Sequence, residues 1–211
     1  MARIRLPRRF EQSTAHSSST GSSEQTYNAF ISYSHAVDGK LAPALQSALH
    51  DFARPWNRLR ALRVFRDEAS LSANPALWSS IERALQASAF FILLASPEAA
   101  RSRWVDREIA YWLQYKPKTN LLVALTDGEA VWDEVAGDFD WDRTTAIPRS
   151  LKGVFKEEPR YIDLRWARLS EDVSLHNPRF RDAVADLAAP LHGRAKDEVT
   201  IQVLVGAGSQ G

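Results

Sequence analysis

The chain contains no cysteine among its 211 residues. Disulfide bonds, thiolate catalysis and cysteine-ligated zinc are therefore excluded. Long apolar runs are also missing, since the longest, Ala89 to Ala95, is far too short to span a bilayer. The formal net charge is only +1, which gives no reason to expect nucleic acid or an anionic membrane as a partner.

Common catalytic motifs are missing as well. The chain has no Walker A sequence, no HExxH, no GxSxG and no paired spacing of metal ligands, and we expect no metal site. Its five histidines are scattered: His16, His35, His50, His176 and His192. Residues 200–211 contain G-x-G-x-x-G after an apolar run, but no helix follows in the sequence. A dinucleotide fingerprint requires that helix, so we expect a C-terminal tail instead.

The composition is that of an ordinary globular protein, with 45% hydrophobic and 25% charged residues. Residues 1–25 are rich in arginine and serine. This faintly suggests a transit peptide, but a disordered tail is the better interpretation, because such a segment cannot bury enough apolar surface to become ordered. The length fits one domain, which we place at residues 26–192, followed by a tail at 193–211.

Short apolar runs alternate with helical periods from Tyr27 onward. The predicted strands are Tyr27–Ser32, Leu62–Phe65, Ala89–Ala95, Asn120–Leu125 and Arg160–Leu164. Helices are predicted over residues 41–52, 74–88, 96–115 and 178–191, with an irregular region at 126–158 that holds a short helix after Pro148. This alternation predicts a flavodoxin-like, doubly wound α/β fold with five parallel strands in the order 2-1-3-4-5.

One carboxylate, Glu108, lies among aromatic residues in the helix after the central strand. One arc of that helix should face the core: Val105, Ile109, Trp112 and Leu113. Trp104, Glu108 and Tyr111 form the adjoining arc, on the border between core and solvent. A partly shielded carboxylate suits catalysis. The alternative is that Glu108 is only the polar edge of an amphipathic helix.

The predicted strand order gives an independent reason to look at Glu108. In such a sheet, ligands bind outside the carboxyl ends of strands 1 and 3. Strand 1 ends at Ser32 and is followed by Tyr33, Ser34 and His35, whereas strand 3 leads into the helix that holds Glu108. The predicted crevice and the unusual carboxylate therefore coincide.

Three blocks of sequence resemble the Toll/interleukin-1 receptor (TIR) domain, in its bacterial, NAD-cleaving branch. Tyr27–Ser34 (YNAFISYS) is similar to the opening strand and box 1 of that family. Residues 64–85 are similar to its second strand, BB loop and following helix, and residues 90–109 to its S-P…S-x-W-x-x-x-E block. The likeness spans about residues 26–165, with two departures. The family's BB loop often has a glycine where this chain has Asn74-Pro75, and the region after strand 4, rich in tryptophan and aspartate, follows no pattern of the family.

The resemblance implies roles for six residues. Glu108 matches the catalytic glutamate and Trp104 the aromatic residue four positions before it. Tyr33, Ser34 and Asp67 match positions that line the NAD pocket, and His35 lies where some members have a basic residue. Structural roles are the alternative: Trp104 as a boundary aromatic, Tyr33 as a loop anchor and Asp67 as a loop cap.

The resemblance also implies a cellular role. NAD+ is then a substrate rather than a cofactor, and the product is ADP-ribose or a cyclic form of it. We expect self-association through TIR–TIR contacts, a separate activating protein or ligand, a cytoplasmic location and a part in bacterial immune or cell-death signalling. Two alternatives stay open: a non-catalytic TIR module that signals by self-association, and an N-ribosyl hydrolase or transferase that acts on nucleosides.

Overall fold

The computed structural model describes residues 27–52, 64–66, 77–193 and 195–196. Its strands are β1 (Tyr27–Ser32), β2 (Val64–Arg66), β3 (Ser88–Ala95), β4 (Leu121–Leu125), β5 (Trp132–Asp133), β6 (Asp138–Phe139) and β7 (Tyr161–Asp163). Five of them form a parallel sheet in the order β2-β1-β3-β4-β7, and β5 and β6 form a separate antiparallel pair. The predicted fold class and strand order are confirmed.

The helices pack on both faces of this sheet. They are α1 (His35–Asp38), α2 (Leu41–Phe52), α3 (Leu77–Ala87), α4 (Pro97–Arg101), α5 (Arg103–Tyr115) and α6 (Pro178–His192). Within the described residues, 3-10 turns cover Lys118–Asn120, Arg149–Leu151 and Arg165–Leu169. The short helix α1 was not predicted, because its four residues show no helical period. The expected start of α3 at Asn74-Pro75 lies outside the described residues.

The core has one layer on each face of the sheet. Side chains of α2 and α6 cover one face, where they meet Ile31 and Ile92. Side chains of α3 and α5 cover the other, where they meet Phe30 and Phe91. Strands β1 and β3 are buried on both faces, as expected for the centre of a parallel sheet. Alternate residues of β1 therefore point toward different helix pairs.

The prediction of one continuous helix from Ser96 to Tyr115 is wrong. Ser96 does cap α4, but Ser102 has an extended backbone and separates α4 from α5. Its amide donates to the carbonyl of Ala99, and its hydroxyl accepts from the amide of Val105 at 3.4 Å. Serine competes with the helix for local hydrogen bonds and favours caps over helix interiors. The helix of Glu108 therefore has its own N-terminus.

The region between β4 and β7 is irregular, as predicted, with a 3-10 turn after Pro148. The β5–β6 pair within it was not predicted, because two-residue strands carry no periodic signal. Asp138 anchors this region, since its carboxylate accepts from the indole of Trp141 at 2.9 Å and from the amide of Gly153 at 3.2 Å. The predicted tails, 1–25 and 193–211, lie outside the described residues except for Gly193 and residues 195–196.

Candidate active site

Glu108 lies in the second turn of α5 and is only 2% exposed. The prediction that it borders the core is therefore wrong for Glu108 itself, although Trp104 and Tyr111 are half-buried as expected. The cause is the position of α5, which brings the Glu108 side chain to the last residue of β1. Leu113 is less buried than predicted, while Val105, Ile109 and Trp112 lie in the core.

Ser32 is the residue that Glu108 meets. Its hydroxyl donates a hydrogen bond of 2.5 Å to Oε2 of Glu108, and its side chain is fully buried. Such short contacts are typical of hydroxyl donors to a carboxylate. Ser32 pairs with Leu93 of β3 and points to the α3/α5 face, as Phe30 does. The sequence placed Ser32 at the end of strand 1 but did not assign it to the site.

Trp104 lies one turn before Glu108 and contacts a second tryptophan, Trp78. The two ring centroids are 6.4 Å apart with an interplanar angle of 29°. The guanidinium of Arg107 lies over the Trp78 ring, with its Cζ 3.6 Å from the centroid. Sequence reasoning missed Trp78 and Arg107, because the contact between α3 and α5 that joins them is not visible in a helical period.

Tyr33 and His35 belong to a different cluster. Tyr33 is 5% exposed and packs with α2 and α6, on the face of the sheet opposite to Glu108. Its hydroxyl accepts from Nη1 of Arg66 at 3.0 Å and lies 3.3 Å from Nδ1 of His35, whose ring is 4.4 Å from that of Tyr33. Ser34 begins α1 by accepting backbone hydrogen bonds on its carbonyl. Asp67 lies outside the described residues.

The structure thus brings the predicted residues together in two groups. Trp104 and Glu108 lie on α5, with Ser32 and Trp78 as new neighbours. Tyr33 lies on the α2/α6 side with the ring of His35 beside it, and Ser34 between them begins α1. Of these three residues, His35 lines a cleft of about 780 Å³ between α1 and the turn at Arg165–Leu169. That volume is in the range of small-molecule pockets.

A buried carboxylate that the sequence did not single out lies at the same edge of the sheet. Asp38 is fully buried, and among the described residues neither of its oxygens has a partner at hydrogen-bonding geometry. Burial raises its pKa from 3.8 to about 6, although the nearby Thr126 hydroxyl and the positive charge of Arg168 both act to lower that pKa. The Thr126 hydroxyl itself donates to the carbonyl of Ala95, and Arg168 forms an ion pair with Asp127.

Within residues 27–52, 64–66, 77–193 and 195–196, no three His, Cys, Asp or Glu side chains are grouped so that they could hold a metal ion. In the same part of the chain, no helix has the length and apolar character needed to cross a membrane.

The fold and the site define a flavodoxin-like α/β domain with a buried carboxylate at the carboxyl edge of its sheet. Residues 29–167 match the TIR domain family, and the chain belongs to that family. It is 57% identical over 173 residues to the NAD(+) hydrolase ApTIR of Actinoplanes sp.. That match covers 82% of this chain and 24% of the relative, so the chain spans about a quarter of the length of that protein.

The chain is also similar to the TIR domains in the structure of the activated Roq1 resistosome directly recognizing the pathogen effector XopQ. They share 15% identity with this chain, with a TM-score of 0.38, over 85% of this chain and 98% of theirs. A likeness this low adds nothing to the assignment.

Proposed function

We propose that this chain is an NAD+ hydrolase that cleaves the bond between nicotinamide and ribose. The observation that supports it most is Glu108, a buried carboxylate held by Ser32 at the carboxyl end of β1, with the half-buried ring of Trp104 one turn away. The similarity of this chain to the NAD(+) hydrolase ApTIR supports the choice of NAD+ as the substrate. Glu108 is then the catalytic residue, and Trp104 contacts the substrate.

The chemistry requires little more than one fixed charge. The bond between the ribose anomeric carbon and the pyridinium nitrogen breaks, and its electron pair stays on the nitrogen, so nicotinamide leaves as a neutral molecule that needs no proton. Positive charge then grows on the anomeric carbon, as in glycoside hydrolysis. A carboxylate preorganised beside that carbon stabilises this charge without reorganisation, which is the role we assign to Glu108.

Water completes the reaction by adding its oxygen to the anomeric carbon and releasing one proton, which gives ADP-ribose. If a nitrogen of the adenine ring attacks instead, the product is a cyclic ADP-ribose. Trp104 offers a flat apolar wall beside the reacting ring and limits the access of water. Tyr33, Ser34, His35 and Asp67 remain proposed contacts to the rest of NAD+.

Activation by self-association is part of the proposal. Glu108 is 2% exposed, so NAD+ reaches it only after the site opens. A protein that populates its competent state rarely has low apparent activity, and association or a separate activating protein or ligand raises that fraction. A cytoplasmic location and a part in bacterial immune or cell-death signalling are expected from the family and belong to the same proposal.

The test is incubation of the purified protein with NAD+, at rising protein concentration, with products identified by mass spectrometry. Nicotinamide and ADP-ribose or its cyclic form should accumulate with the wild type and not with Glu108→Gln. Turnover of nucleosides instead of NAD+ would favour an N-ribosyl hydrolase. Self-association without any turnover would favour a non-catalytic signalling module.

A further inference from the structure

Trp78 contacts two side chains on one face of the helix that carries Glu108. Trp104 and Arg107 are three residues apart on α5, and such residues lie on the same side of a helix. Both meet Trp78, which is the second residue of α3: Trp104 stacks with it at 6.4 Å, and the guanidinium of Arg107 lies 3.6 Å from its ring centroid. One side chain of α3, Trp78, therefore contacts two residues of α5 that are about one helical turn apart, Trp104 and Arg107.

A half-buried indole needs such a contact in order to keep one orientation. Trp104 is only partly buried and lies in the first turn of α5, so its ring has room for more than one rotamer. Trp78 restricts it from the side of α3. Trp78 is itself fixed, because a planar guanidinium stacks well on an aromatic ring and Arg107 covers the Trp78 ring at close range.

We propose that Trp78 is a positioning residue for the reaction: it holds the Trp104 indole where that ring walls the substrate beside Glu108, and Arg107 locks Trp78 in place. The inference rests on the proposed function, since it needs a substrate ring for Trp104 to meet. The inference also links α3 to the site, because a shift at the start of that helix would move Trp78 and, through it, the Trp104 ring.

The alternative is that Trp78 only packs between α3 and α5. A packing residue would change stability and would alter turnover only through the folded fraction, so kcat/KM per folded protein would be unchanged with or without Trp104. A residue that acts through Trp104 loses its effect once Trp104 is gone. Double-mutant cycles separate these two cases, because residues that act as a unit are non-additive.

The kinetic experiment uses Trp78→Ala, Trp104→Ala and the double variant, at a protein concentration that gives measurable turnover and well below the unfolding temperature. We expect Trp78→Ala to lower kcat/KM about three- to tenfold, in keeping with the energies of aromatic pairs. In the Trp104→Ala background the same change should have less than about a twofold effect. Trp78→Phe should recover most of the loss.

Trp166 provides a matched control, because it also lies under an arginine, with Cζ of Arg179 4.4 Å from its ring centroid. It packs with the α2/α6 cluster, on the other face of the sheet from Trp78. Trp166→Ala should leave kcat/KM within about twofold of wild type. Arg107→Lys keeps the charge but removes the planar group, and it should impair turnover where Arg179→Lys does not.

A spectroscopic measurement tests the stack without reference to activity. Two indoles at 6.4 Å couple in the far-ultraviolet circular dichroism spectrum. That signal should disappear in both Trp78→Phe and Trp104→Phe and persist in Trp166→Phe. Its persistence in Trp78→Phe would show that the two rings do not stack and would overturn the inference.

The outcomes also distinguish this inference from the proposed function. Equal effects of Trp78→Ala with and without Trp104, in a protein whose turnover depends on Glu108, overturn the positioning role alone. A wild-type protein that leaves NAD+ intact at every concentration, or a Glu108→Gln variant as active as wild type, overturns the proposed function and the positioning role with it.

Discussion

The hydroxyl of Ser32 donates a 2.5 Å hydrogen bond to Oε2 of Glu108, which joins the end of β1 to the middle of α5 inside the protein. The two residues are 76 positions apart in sequence. The hydrogen bond fixes the orientation of the carboxylate. This matters because a displacement of a catalytic group by about 1 Å can lower the reaction rate strongly.

We therefore expect Ser32→Ala to lower kcat by about ten- to hundredfold, because the carboxylate loses the donor that orients it. Steady-state NAD+ cleavage measures this. The matched control is Ser88→Ala, since Ser88 is also fully buried and its hydroxyl donates to the carbonyl of Ala84 at 2.7 Å. Both variants should lose about 1–2 kcal/mol of stability, whereas only Ser32→Ala should lose turnover. Equal turnover in the two variants contradicts the orienting role.

Glu108→Gln should reduce kcat/KM at least about a hundredfold, because it keeps the shape and an acceptor for Ser32 but removes the charge that stabilises the transition state. Glu108→Ala should abolish cleavage. The fold should persist in both, as monitored by circular dichroism and thermal unfolding. Activity within a few-fold of wild type in either variant removes Glu108 from the mechanism.

Trp104→Ala should impair turnover about tenfold and Trp104→Phe about threefold or less, because a phenyl ring still provides a flat wall. Initial rates over a range of NAD+ concentrations give kcat and KM for each. If the two variants lose the same amount, the indole N–H makes a specific contact that phenylalanine cannot replace.

Asp38 should make the protein less stable as the pH rises from about 4 to about 7. Its folded-state pKa of about 6 lies above the ordinary 3.8, so the folded state holds a proton that the unfolded state has released. The stability that this proton provides, at most about 3 kcal/mol, is complete below pH 4 and is lost through pH 6. In urea unfolding, the stability of Asp38→Asn relative to wild type should therefore increase over this interval.

Asp138 provides a control with the opposite sign. Although burial opposes it, hydrogen bonds from Trp141 and from the amides of Phe139 and Gly153 lower the Asp138 pKa. Its stabilising effect is present at neutral pH and disappears as the pH falls. Asp138→Asn should therefore lose stability relative to wild type as the pH rises, and the same trend in both variants would contradict the assignment for Asp38.

Specific activity should rise with protein concentration, because Glu108 is closed to solvent in the isolated chain and association favours the competent state by mass action. The measurement is initial rate across a hundredfold dilution series, with the oligomeric state followed by light scattering. A crowding agent should mimic high concentration. Constant specific activity in a protein that stays monomeric throughout would falsify activation by self-association.

The sequence predicted the sheet well because buried strands carry a strong local signal. Tyr27–Ser32 has the predicted bounds, and β3 differs from the predicted apolar run Ala89–Ala95 only by starting at Ser88. The connections failed where the decisive interaction was local and polar. Nothing in the apolar period distinguishes Ser102 as a cap from a serine within a helix, so α4 and α5 were predicted as one.

The candidate site was predictable only in part, for a related reason. A helical wheel places Glu108 beside the core but does not show what it meets, because its partner Ser32 comes from a distant strand. The same limit hid Trp78, whose importance depends on how α3 and α5 pack. The resemblance gave Tyr33 and His35 as neighbours of the site. Side chains of successive residues at a strand end point to opposite faces, so Tyr33 lies on the other face from Ser32, with α2 and α6. The ring of His35 lies beside that of Tyr33.

Because the extended residue Ser102 separates α4 from α5, it is a pivot about which α5 can tilt without α4. Glu108 lies six residues beyond Ser102, which is about 9 Å along a helix axis, so a tilt of about 10° at the pivot moves the carboxylate by roughly 1.5 Å. A displacement of that size stretches the contact with Ser32 beyond hydrogen-bonding range. Trp104, next to the pivot, barely moves. The alignment of the carboxylate with Ser32 therefore depends on the core packing that holds α5 in place, in which Val105, Ile109 and Trp112 are at most 1% exposed.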